Sequence, residues 1–168
     1  EDGGITLNGA ITTDGVVTLD GPITLATGAI TITTADDAIN LQGTVDGAQA
    51  LTLSSGSAAI TADGAIGSST ALTSLTVNSS GAGTIEIANI GTSSAAGVTG
   101  ATAIGNTSTG TLTLDGTVYT TTGTQTYTAA TGGGNIDITN TAGTTFTTTN
   151  TAIAFNTSGV DLANDATT

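Results

Sequence analysis

Asp36 and Asp37 form an adjacent carboxylate pair in a chain of 168 residues with thirteen acidic side chains and no Lys, Arg or His. Paired carboxylates are the groups that bind calcium or perform acid–base work on a glycosidic bond. Asp36, Asp37, Asp161 and Asp165 are the candidate ligands for a structural calcium, because corners between short strands present carboxylates beside free carbonyls. The segment GGGNIDIT (132–139) imitates a glycine-rich calcium repeat without completing it. Sugar-cleaving sites that hold acidic substrates need basic residues, and none exist. With no imidazole, thiol, amine or guanidinium, the side chains that carry most general acid–base and nucleophilic catalysis are missing. The reading is therefore a non-enzymatic protein with no cofactor beyond that calcium.

Three further groups of residues have a chemical reading. Tyr119 and Tyr127 are the aromatics that would stack on a sugar ring if exposed. Thr-x-Thr occurs at Thr31/Thr33, Thr111/Thr113, Thr124/Thr126/Thr128 and Thr145/Thr147/Thr149. A flat array of such pairs, one per coil, would order water or bind ice, but the spacing along the chain is irregular. Asn78-Ser79-Ser80, Asn106-Thr107-Ser108 and Asn156-Thr157-Ser158 fit the N-glycosylation sequon. In a chain this rich in Asn, Ser and Thr, such matches arise by chance.

A formal net charge of −13 excludes nucleic-acid partners, whose phosphates are held by Lys and Arg. Anionic membrane surfaces are disfavoured on the same ground. No run of about 18 apolar residues is present, so membrane insertion through a helix is not expected. Charge alone predicts that copies of such a chain bundle laterally near about pH 4, where carboxylates neutralise. Glu1 as first residue and the absence of Met suggest a processed chain or a slice of a longer one.

The elements that would position these residues are short strands. The first quarter repeats about every six residues: ITLNGA (5–10), ITTDGV (11–16), VTLDGP (17–22) and ITLATGA (23–29). Ile5 and Leu7 fall on one side of a strand and Thr6 on the other. Asn-Gly or Asp-Gly, at Asn8, Asp14, Asp20, Asp46, Asp63 and Asp115, would then supply a positive-φ corner; the same Asp residues otherwise read as turn formers. Three hexads would make a coil of eighteen residues, with Ile5 below Ile23 and Ile23 below Leu41. At that length, eight or nine coils would span roughly 40 Å.

Beyond residue 30, alternating β-branched phrases continue, among them AITITT (29–34), ALTLS (50–54), LTSLTVN (72–78) and NIDITN (135–140). Residues 91–110 are the least patterned and read as a long loop or irregular coils. The fold expectation is all-β, a parallel β-helix forming one repeat module over 1–168. The alternative is a β-sandwich completed by a neighbour's donated strand. Few aromatics and many small aliphatics favour the narrow solenoid.

The phrases ALTSLTVNSSGAGTI (71–85), VYTTTGTQTYTAA (118–130) and GNIDITNTAG (134–143) resemble the repeats of giant bacterial surface proteins of the filamentous-haemagglutinin and autotransporter-adhesin type. The resemblance implies a secreted parallel β-helix shaft displayed at the cell surface. The function expected is a structural component of an extracellular filament or adhesin. Its partner would be itself, joined head-to-tail as subunits or as covalent neighbouring repeats. The contrasting expectation is a carbohydrate- or ice-binding surface module.

Overall fold

A computed structural model describes residues 3–162 as a parallel β-solenoid containing no helix. Every strand pairing is parallel, which sets aside the donor-strand sandwich. The chain winds through three faces per coil. The first three coils are β1 (Ile5–Leu7), β2 (Ile11–Thr13), β3 (Val17–Leu19); β4 (Ile23–Leu25), β5 (Ile30–Thr34), β6 (Ile39–Leu41); and β7 (Val45–Asp46), β8 (Ala50–Ser54), β9 (Ile60–Ala62). The next two place Ile66 and Ile90 alone on the first face, followed by β10 (Ser74–Asn78), β11 (Ile85–Ile87) and β12 (Thr102–Ile104), β13 (Leu112–Leu114). The last two are β14 (Val118–Thr120), β15 (Gln125–Thr128), β16 (Ile136–Ile138) and β17 (Thr145–Thr147), β18 (Ile153–Asn156), β19 (Val160–Leu162).

The second and third faces are continuous sheets of seven strands, ordered β2-β5-β8-β10-β12-β15-β18 and β3-β6-β9-β11-β13-β16-β19. The first face is interrupted: β1-β4-β7 and β14-β17 are joined only through single bridges at Ile66 and Ile90. Seven coils therefore stand where eight or nine were expected. After the first, the coils are longer than three hexads. Ile5 does pair with Ile23, but Ile23 pairs with Val45, and Leu41 lies on the third face between Leu19 and Ala62. Corners lengthen the later coils, as where Gly28 and Asp36 turn with φ of 65° and 86° on either side of β5. The stretch 91–110 is not loop throughout, because it contains Val98, bridged to Leu72, and β12.

Alternation puts one aliphatic column behind another. On the third face Val17, Ile39, Ile60, Ile85, Leu112 and Ile136 stack in register, beside Leu19, Leu41, Ala62, Ile87 and Leu114. From Ile39 to Ile136 the aliphatics of these columns are buried within a few per cent of completely. Burial of each such side chain contributes about 1.5–3 kcal/mol, and the coil-to-coil backbone hydrogen bonds leave few main-chain groups unmade.

Asp-Gly and Asn-Gly do not act mainly as positive-φ corners. Of the six pairs only Gly21 and Gly47 have positive φ, at 134° and 129°. At Gly47, Gly64 and Gly116, and at Gly43 outside these pairs, glycine serves close approach. A Cβ on Gly43 would strike the carbonyl of Gly21, and one on Gly64 would strike that of Gly43. This corner stacks backbone on backbone with no room for a side chain.

Candidate functional site

The carboxylates gather on one side of the shaft. Glu86, Asp137 and Asp161 lie on the third face, at positions alternating with its buried columns. Asp14, Asp36 and Asp37 sit at the corner before that face, and Asp20, Asp63 and Asp115 at the corner after it. Asp46 lies on the first face, next to Thr24. The second face carries none within its seven strands.

Among the candidate calcium ligands, Asp36 and Asp37 are not brought to Asp161. Four strands of the third face separate β6, which follows the pair, from β19. Asp165 lies outside the described residues. Asp161 instead stacks on Asp137, and the side-chain amide of Asn135 donates to both carboxylates. Among the described residues, no three acidic side chains converge as a metal site would require.

Several of these side chains fasten one coil to the next. Asp46 Oδ1 accepts from the N–H groups of Ser69 and Thr70 at 2.7 and 2.9 Å. Asn89 Oδ1 does the same for Thr117 and Val118 at 2.9 and 3.0 Å. Asp36 Oδ1 accepts from Ser57 N–H at 2.8 Å, and that bond holds its carboxyl below the usual range. For Asp46 the turn-former reading thus understates the role, and Asp36 acts alike, since each side chain reaches the coil above. Burial, then the charges of Asp115 and Asp63, hold the Glu86 carboxyl above its usual range. Burial and Asp63 also raise Asp115, whose Oδ1 is enclosed without a hydrogen-bond partner.

Tyr119 and Tyr127 are fully buried, which overturns their reading as a sugar-stacking platform. Both point into the shaft with Phe146 and Phe155, so that all four aromatic rings of the chain form one cluster. Tyr119 stacks on Phe146 at 4.9 Å and Tyr127 on Phe155 at 5.2 Å. Their hydroxyls are satisfied inside: Tyr119 donates to Ile87 O at 2.7 Å, and Tyr127 to Gln125 Oε1 at 2.9 Å. Gln125 Nε2 donates to the carbonyls of Tyr119 and Thr147 at 2.9 and 2.8 Å. Burial pushes both phenols well above their ordinary value. Alternation was the signal available in the sequence, since Tyr127 falls in register with Ile104 and Phe155.

The Thr-x-Thr pairs divide among the faces. Thr31/Thr33 and Thr126/Thr128 belong to the second face, Thr111/Thr113 to the third and Thr145/Thr147 to the first. Between the two pairs on the second face lie Thr52/Ser54 and Thr76/Asn78, in exact register with Thr31/Thr33. One ladder thus runs Thr31, Thr52, Thr76, Ala103, Thr126, half-exposed throughout. Spacing along the chain concealed it, because the coils between differ in length. The three sequons begin at the ends of β10 and β18 and just past β12, all at the corner leaving this face.

At the last coil, β19 pairs only with β16, and β18 only with β15. Val160 and Leu162 are 41% and 59% exposed there, although the column of Val160 is sealed up to Ile136 and that of Leu162 up to Leu114. No family model, curated protein or solved structure matches the chain.

Proposed function

We propose that this chain is a shaft segment of an extracellular filament or cell-surface adhesin, a structural part without catalysis. The observation that carries this reading is the state of the end coil. Its apolar columns are the same as those buried below it, and its strand edges are unpaired among the described residues. A further coil, from a second copy or a covalent neighbour, would bury Ile153, Val160 and Leu162 and complete the edge hydrogen bonds. The composition agrees, because aliphatics, Thr and Asn gain by stacking on their own kind, whereas unpaired charges lose. A chain lacking Lys and Arg is also invisible to trypsin-like proteases outside a cell.

Electron microscopy of concentrated protein tests the reading. Rods of constant width that lengthen with concentration are expected, each coil adding about 4.8 Å. Val160→Asp with Leu162→Asp should shorten them severalfold while leaving the circular dichroism of the earlier coils in place. Single particles at every concentration, joined neither as subunits nor as fused tandem copies, would overturn it.

A further inference from the structure

Three features of the second face, taken together, concern a partner. It is a continuous sheet seven strands deep, unlike the interrupted first face. Its seven strands carry no carboxylate, whereas the third face holds Glu86, Asp137 and Asp161, and the first holds Asp46. Its outer residues are mainly hydroxyls in register, Thr31, Thr52, Thr76 and Thr126 in one column that Ala103 interrupts and Ala154 ends, and Thr12, Thr33 and Ser54 in the next.

We infer that the second face is a lateral docking surface for the same face of a second copy. In a chain of net charge −13 with no cation, most side-by-side contacts would press carboxylate against carboxylate. Two second faces meet without desolvating a charge, and Asp14, Asp36 and Asp37 stay at the rim, where water screens them. A hydroxyl both donates and accepts, so a Thr array satisfies an identical array facing it. A two-fold pair is self-complementary by construction. Its axis would pass near β10, the central strand of the seven, and set Thr76 against its own copy.

Seven strands at about 4.8 Å, three to five residues wide, present roughly 450 Å² per copy. That is below the about 800 Å² a side of a stable pair. A single module therefore pairs weakly, and a longer shaft accumulates contacts along its length. The pairing does not depend on end-to-end growth: lateral contact widens a shaft, whereas stacking lengthens it.

The chain has no cysteine, so Thr76→Cys introduces a sole thiol. Under oxidised glutathione, Thr76→Cys should form disulfide dimers about tenfold faster than Thr113→Cys, the matching half-exposed position on the third face. Each rate is divided by that thiol's rate with dithiodipyridine, which removes differences in intrinsic reactivity. Adding Thr52→Glu to Thr76→Cys should bring dimerisation down to the Thr113→Cys level with an unchanged thermal melt. Equal normalised rates at the two positions would overturn the proposal. So would inhibition of ice recrystallisation by uncrosslinked single shafts, lost with Thr52→Glu, since the face would then belong to ordered water.

Discussion

Tyr127 donates its hydroxyl to Gln125 Oε1 at 2.9 Å, two residues back on the same strand and inside the shaft. Both side chains are completely enclosed, so Gln125 is a buried amide whose carbonyl oxygen and amide hydrogens all find partners. Such a network is stabilising only while complete. Tyr127→Phe removes one donor and should cost about 1 kcal/mol. Gln125→Leu strands the Tyr127 hydroxyl and takes the side-chain donor from the carbonyls of Tyr119 and Thr147, of which Thr147 keeps its bond from Thr121 N–H, and should cost about 2 kcal/mol. Urea unfolding followed by tyrosine fluorescence checks both, because the two tyrosines report only on the last coils.

The same enclosure governs alkaline behaviour. Both phenols are raised by burial, so the folded state disfavours phenolate. Stability is therefore complete below the ordinary tyrosine value of 10.0 and is lost as pH rises above it. Absorbance of tyrosinate should appear late and together with the loss of β-sheet circular dichroism. Smooth titration near the ordinary value, with the sheet intact, would contradict the burial.

Close backbone stacking makes a sharp prediction at glycine. Gly64→Ala places a methyl against the carbonyl of Gly43 and should destabilise by about 2 kcal/mol or more, through strain in the coil below. Gly132→Ala meets nothing within 4 Å, and its φ is not in the left-handed region. It should be neutral or stabilise by about 0.5 kcal/mol, by restricting the unfolded chain. Thermal melts of the two variants beside the parent decide the point.

The contrast shows where sequence reading stops. Alternation made the strands legible: ALTLS at 50–54 is β8 residue for residue, and Ile5 was placed on Ile23 correctly. Alternation fixes which side of a strand a residue faces, and the solenoid follows from that. It does not fix how many corner residues lie between strands. The register beyond Ile23 was therefore misplaced, and the Thr ladder of the second face stayed hidden. The sugar-stacking reading of the tyrosines requires exposure, and alternation places them otherwise: Tyr119 and Tyr127 sit in inward columns, beneath Phe146 and Phe155.

Acid should stabilise before it destabilises. Glu86 and Asp115 are raised by burial and by neighbouring carboxylates, so the folded state favours their protonated forms. Their contribution appears as pH falls through the raised values and is complete below the ordinary values of 4.5 and 3.8. Asp36 works in the opposite direction. Its bond from Ser57 N–H contributes stability that is present above 3.8 and lost as pH falls through its lowered value. The melting temperature, measured on dilute protein, should therefore rise from neutral pH to about pH 4 and fall below it. Asp63→Asn removes a charge that acts on both Glu86 and Asp115. It should raise stability at neutral pH by a few tenths to about 1 kcal/mol and flatten the acid rise. A melting temperature that falls steadily from pH 7 downward, or is unaffected by Asp63→Asn, would show that the carboxylates of this corner are fully solvated.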